Sequence, residues 1–227
     1  MNMDQNIATP NDDSLTIKPI SNVKEMEDVY RLTHEAYVSS SYSEHQPNGL
    51  LLHYPEYDVI PETTVLVARQ QGEMIGTLSL TVPGPFGFTL DREFKKEMDY
   101  MQQAGRVVVV MWRLAVKEEF RSSRNVVIGL FSAATRIALN HGVNSLVIEV
   151  NPKHERVYKR MLNMTTVSRI DETNGLQHAP GVLLRGDIET LPKEWMLGGQ
   201  TLLAHDPIGL EMLDHILEPL PDFKKAS

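Results

Sequence analysis

SLVIEVNPKHERVYKR, residues 145–160, decides the fold. An apolar strand runs into Asn151-Pro152, a helix starts there, and Tyr158 follows seven residues after Asn151. The end of a strand that feeds a helix is where α/β proteins bind ligands. Asn151 offers a donor and an acceptor at that terminus, and a phenol two helical turns later returns to the same face, since 3.6 residues make a turn. Those are the two groups needed by a site that holds the amide-rich arm of a thioester and protonates a departing thiolate.

The neighbouring segments extend the pattern in both directions. RVVVVMWRLAV (106–116) is a long β-rich run, apolar enough to be buried on both faces. NVVIGLFSAATRIALNHG (125–142) is an amphipathic helix closed by Gly142. Upstream, LTIKPI (15–20) reads as a short strand, and VKEMEDVYRLTHEAYV as a helix beginning at Val23, capped by Ser21 or Asn22. TTVLVARQ and EMIGTLSLTVP form a hairpin around Gln71-Gly72. LDREFKKEMDYMQQAG (90–105) reads as a helix ended by Gly105, and TTVSRIDET with PGVLLRGDI as a closing pair of strands. The order predicts an α/β chain with a mixed α+β sheet and helices on both faces. Residues 1–14 are expected to be disordered, 15–190 to form the domain, and 191–227 to be a helical extension. The stretch 39–62 is a long irregular connection, a length that points to function. Its Tyr42, Tyr54 and Tyr57 either wall an acceptor pocket or pack the loop down.

Composition narrows the chemistry. Of 227 residues none is cysteine, which removes disulfides, thiolate metal sites and a cysteine nucleophile. The eight histidines show no HxH or HxxxH spacing, so no metal is expected. The polar, acidic start MNMDQNIATPNDDS does not resemble a signal peptide, and no apolar run approaches the ~20 residues of a membrane span, so a cytoplasmic protein is expected. Net charge is −8, which argues against nucleic acid as a partner. The charge is unevenly spread. Residues 106–160 carry ten Lys/Arg against four Glu, and the rest of the chain is strongly acidic. That is either a solvated basic face or a positive mouth on an acidic body.

Two segments in this order resemble the GNAT superfamily of acyltransferases. Leu114-Ala115-Val116-Lys117-Glu118-Glu119-Phe120-Arg121 is similar to its central strand motif L-x-V-x-P-x-x-R, with Glu118 in place of Pro, and Asn151 with Tyr158 is similar to N-x6-Y. A narrower likeness, over GFTLDREFKKEMDYMQQAGR, WRLAV and VNPKHERVYKRML, is to the N-acyl amino acid synthases, relatives of the acyl-homoserine lactone synthases. The resemblance implies transfer of a long fatty acyl group from acyl carrier protein to the amine of an amino acid. It implies that backbone near Leu114 and Val116 binds the pantetheine amides with help from Asn151, and that Tyr158 hydrogen-bonds or protonates the leaving sulfur. No tightly bound cofactor is implied.

Where acetyl-CoA users of the superfamily place glycines before the phosphate-binding helix, this chain reads Arg121-Ser122-Ser123-Arg124-Asn125. Side chains there crowd a pyrophosphate, yet two Arg and two Ser suit the single phosphate of a phosphopantetheine arm. A second departure is Val110, which stands where the synthases carry the Glu of E-x-x-R before Arg113. An amine must lose a proton to attack, so another base is needed. Glu149 shares a strand face with Asn151 by period-2 alternation and is the expected base, unless it is merely salt-bridged to Arg113. Arg113 in turn is a candidate clamp for the acceptor carboxylate. His154 is a second candidate base, or an ordinary helix-start residue. Met98, Tyr100, Met101, Met111 and Trp112 are expected in the core, some lining an acyl tunnel. The other readings are an acyl-CoA-dependent acetyltransferase and a non-catalytic module that binds acyl carrier protein.

Overall fold

The computed structural model describes residues 15–171 and 179–191. The N-terminal segment, the C-terminal extension and three of the histidines (His178, His205, His215) lie outside the described residues. Seven strands form one sheet: β1 (Thr16–Pro19), β2 (Thr63–Gln70), β3 (Glu73–Thr81), β4 (Val108–Val116), β5 (Ser145–Val150), β6 (Thr165–Ile170) and β7 (Gly181–Asp187), in the spatial order β1-β2-β3-β4-β5-β7-β6. Every pairing is antiparallel except β4 with β5. That parallel step needs a crossover, and the connection supplies it as a helix. The helices are α1 (Val23–Ser39), α2 (Lys95–Gln103), α3 (Arg124–Leu139) and α4 (Pro152–Leu162).

Local chemistry sets these elements. Asn22 Oδ1 accepts from Glu25 N at 2.9 Å, and the Glu25 carboxylate reaches back to Ser21 N at 2.8 Å, so two unpaired donors at the start of α1 are met. Gln71 and Gly72 have φ of +51° and +77°, the left-handed pair a two-residue hairpin turn requires. The segment read as one helix over 90–105 is two pieces. Asp91 ties its carboxylate to Phe88 N at 3.0 Å in a short turn over 89–92, and α2 begins only at Lys95. This break lets Phe88, Leu90 and Phe94 all turn into the core.

Alternation divides the core between the two sheet faces. Val65 and Val67 of β2 meet α1, whereas Leu66 and Ala68 meet α3. On the α1 face lies a further cluster in which Met98 and Met101 of α2 cover Val108, Val110 and Trp112 of β4 and Val147 of β5. On the opposite face α3 and α4 cover Val109, Met111, Leu146 and Ile148. Gly76 on β3 lets α3 approach: a Cβ there would stand 2.9 Å from Val126 Cγ1. Of the methionines and aromatics expected inside, Tyr100 is instead 73% exposed, because it lies on the outer face of α2.

Candidate active site

The site is built from a failure of sheet pairing. β4 and β5 pair through Val108–Ser145, Val109–Leu146 and Val110–Val147, and no further. Beyond them β4 runs on to Val116 and β5 to Val150, so the two strands diverge. The cause is visible in β4. Its register with β3 steps from Thr77–Ala115 to Ser79–Trp112, so three residues of β4 oppose two of β3, and Arg113 in this bulge has φ +50°. A cavity of about 240 Å³ fills the gap. Its walls come from both sheet faces: Tyr54, Trp112 and Glu149 from one, Phe131, Ile148 and Tyr158 from the other. It is therefore a passage through the sheet. Its volume falls just below that of ordinary ligand pockets, enough for an acceptor and a reacting carbonyl.

Arg113 is held from within. Its side chain is fully buried and its guanidinium nitrogens meet both carboxylate oxygens of Asp58, one of them at 2.7 Å. Ser79 Oγ accepts from it at 2.7 Å and 3.1 Å, and the Tyr30 hydroxyl donates to Asp58 at 2.7 Å. Burial opposes the Arg113 charge, but the Asp58 carboxylate outweighs it and the guanidinium is held above its ordinary range. Burial pushes the Asp58 carboxyl up, against the pull of Arg113 and Tyr30. The bidentate geometry is that of an ion pair. A non-glycine residue with positive φ costs ~1–3 kcal/mol, and this network holds it in place. The fork that was read as a clamp for an acceptor carboxylate thus already holds one.

Glu149 has no such partner. It pairs by backbone with Leu183 of β7 and lines the cavity, and no ion pair or hydrogen bond engages its carboxylate among the described residues. The alternative of a salt bridge to Arg113 does not hold, since Asp58 occupies that arginine. Burial first, and the neighbouring Glu93 second, raise the Glu149 carboxyl to about 7. It lies two residues beyond Val147, the partner of Val110, and so on the same sheet face. A carboxylate thus stands one step along from the position where Val110 replaces the usual Glu.

Asn151 and Tyr158 line the same cavity. Asn151 caps α4, its Oδ1 accepting from Lys153 N at 3.1 Å, which leaves its amide N–H₂ to face elsewhere. Tyr158 packs on Phe131 with ring centroids 6.1 Å apart. Burial, reinforced by Tyr42, pushes its hydroxyl up to about 12.

The family model described as the N-acyl amino acid synthase FeeM matches residues 28–187. The chain belongs to the N-acyl amino acid synthase family. Its fold is that of the GNAT-like acyltransferases. The structure of FeeM, from uncultured soil microbes, superimposes with a TM-score of 0.65 at 18% identity, covering 78% of this chain and 92% of that one. A CoA-dependent acyl-homoserine lactone synthase, BjaI with MTA, matches with a TM-score of 0.58 at 17% identity, covering 89% and 98%. The ribosomal-protein-S18-alanine N-acetyltransferase of Escherichia coli matches with a TM-score of 0.52 at 12% identity, covering 84% and 100%. At these identities the structures speak for the fold alone. No curated protein sequence matches the chain.

Not every residue expected at the synthase-family site lies in the passage. Leu114 lines it and, like Arg113, has no partner on β3. Val116 pairs with Gly76, and neither it nor Arg121–Asn125 belongs to the lining. Arg121 turns to α1, donating to Ala36 O at 3.0 Å and Ser39 Oγ at 2.5 Å, where a cation suits the carboxyl end of a helix. Ser122, Arg124 and Asn125 are exposed at the start of α3, and Ser123 occupies the N-cap position without a side-chain cap bond.

Sequence reasoning missed what the long loop brings. His53 is a half-buried imidazole stacked on Tyr54 at 4.3 Å, and desolvation with the Arg113 charge lowers it to about 3, so it is neutral. Tyr42 hydrogen-bonds the Nε2 of His154. Both line the passage, His154 doing so as a partly exposed residue in the first turn of α4. Among the described residues no group of three or more His, Asp or Glu side chains is placed to hold a metal, and no helix is long and apolar enough to cross a membrane.

Proposed function

We propose that the chain transfers a long-chain fatty acyl group from the phosphopantetheine of acyl carrier protein to the amine of an amino acid. The observation that carries this reading is the passage between β4 and β5 with Glu149, lacking a hydrogen-bond or ion-pair partner among the described residues, on its wall. A thioester tether laid in the gap finds backbone at Leu114 with no β3 partner, which supports Leu114 and the neighbouring Val116, with Asn151, as the amide-binding groups. The same unpaired backbone is where donors to the thioester carbonyl are available.

Glu149 takes the proton of the incoming ammonium. A carboxyl near 7 suits that task at neutral pH, where an ordinary one is too weak a base. Tyr158 donates a hydrogen bond to the sulfur. It does not give up its proton, because a phenol at about 12 stands roughly 3.5 units above a thiol near ~8.5, an uphill transfer of about 5 kcal/mol. Protonated Glu149 lies below the thiol and supplies the sulfur downhill. Arg113 positions the strand bulge through Asp58. The exposed Ser122, Arg124 and Asn125 with the half-buried Ser123 at the start of α3 form the single-phosphate end, with Arg121 fixing that loop to α1.

The test incubates the protein with long-chain acyl carrier protein or the equal-length acyl-CoA and pooled amino acids, with acyl amides read by mass spectrometry. Amide formation that favours the carrier protein supports the reading. Preference for the CoA thioester defeats the donor assignment, and a bound acyl carrier protein with no amide from any acceptor defeats the catalytic one.

A further inference from the structure

The stoichiometry of the proposed reaction leaves one proton without a destination. An ammonium acceptor loses two N–H protons on becoming an amide; the thiolate takes one, and the other must reach solvent. Glu149 holds one proton at a time, so it must unload the first before it receives the second. The passage therefore requires an exit that is not itself charged at neutral pH and touches both the cavity and the surface.

We infer that Tyr42 and His154 are that exit. Both line the cavity, and the Tyr42 hydroxyl is hydrogen-bonded to Nε2 of His154. His154 lies in the first turn of α4 four residues before Tyr158, so the two share a helix face. It is only partly buried, and its neighbour Lys153 is exposed with Nζ 4.3 Å from the centre of the Tyr42 ring. The pair thus runs from the cavity to the rim of α4. Burial and the Lys153 charge hold His154 below its ordinary value, so it is neutral at pH 7 and releases quickly any proton it accepts.

The step balances without a further reactant. Tyr42 passes its hydroxyl proton to Nε2 of His154 and takes one from Glu149 through cavity water. The imidazolium sheds its Nδ1 proton to solvent, and the ring then exchanges its Nε2 proton for one on Nδ1 through solvent, which frees Nε2 to accept from Tyr42 in the next turnover. No bond to carbon forms or breaks, and the net result is the one proton the amide-forming reaction releases. The hydroxyl of Tyr42 and the imidazole of His154 are a relay, acting on the reacting atoms through Glu149.

This rests on Glu149 as the base, and the test separates the two. Tyr42→Phe removes only the hydroxyl and keeps the ring that packs on Tyr37. His154→Gln removes the titrating group. Each is expected to lower kcat about tenfold, short of the 10²–10⁴-fold of a group acting directly, with KM for donor and acceptor unchanged. Added imidazole is expected to restore His154→Gln toward the parent rate and to leave Glu149→Gln where it is. Unchanged kcat in either variant, or a His154→Gln loss that imidazole does not restore, overturns the exit. A Glu149→Gln protein that still forms amides at the parent rate overturns the base, and the exit with it.

Discussion

Asp58 and Glu149 are two carboxylates withdrawn from water in the same half of the molecule, and their surroundings separate them. Asp58 sits on the long loop before β2, yet both its oxygens are met by Arg113 and one also by Tyr30. Glu149 sits on a central strand, where β5 has parted from β4, with no ion-pair or hydrogen-bond partner among the described residues and with Glu93 adding repulsion. The first arrangement satisfies a buried charge and fixes a β-bulge that splays the strands. The second leaves a carboxyl at about 7, costly to folding and useful to proton transfer. On the proposed mechanism, stability and chemistry fall to different carboxylates.

The largest effect is expected from breaking the satisfied pair. Asp58→Asn or Arg113→Met leaves an uncompensated buried charge or acceptor, and unfolding by urea should show a loss of about 3–5 kcal/mol. The opposite sign is expected for Glu149→Gln. Its folded value of about 7 lies above the ordinary 4.5, so ionised Glu149 opposes folding. That cost is absent below about pH 4.5, grows as pH rises to 7, and reaches at most ~3 kcal/mol. The variant should be more stable than the parent at pH 8, should match it at pH 4, and should lose most of its activity. A variant that is both inactive and destabilised at pH 8 removes the contrast. Tyr158→Phe deletes one hydrogen bond to a developing thiolate, about 1.5–3 kcal/mol, so kcat should fall by about 10–100-fold with little change in melting temperature. The smallest effect belongs to the exposed start of α3. Arg124→Gln should raise KM for an acyl carrier protein donor by a few-fold, under about 1 kcal/mol, and leave kcat alone.

The same contrast explains what could be read from the chain. β4, β5 and α4 declare themselves by apolar runs and by Asn151-Pro152, and Glu149 stands out because a carboxylate in SLVIEV has no local excuse. The likeness to the synthases is carried by these contiguous segments, and the family match spans them. The partners of Arg113 and His154 were not legible, because Asp58 lies 55 positions from Arg113 and Tyr42 lies 112 from His154. Both come from the loop over 40–62, which has no periodicity to place it. The break before α2 was hidden because Thr89–Arg92 and Lys95–Gln103 together mimic one helical pattern, and only the burial of Phe88 and Phe94 separates them. Its neighbours in sequence make Arg121 look like a phosphate ligand, whereas its guanidinium contacts Val116 O nearby and a helix end 82 to 85 positions away.

We propose that the carboxyl of Glu149, unpartnered among the described residues, accepts the amine proton. That role is tested most directly by kcat for acyl amide formation against pH, at saturating acceptor, in the parent and in Glu149→Gln. The parent rate is expected to rise with pH through a midpoint near 7, as the carboxyl ionises, and the variant to be 10²–10⁴-fold slower with that limb gone. A variant that keeps both the rate and the limb would contradict it.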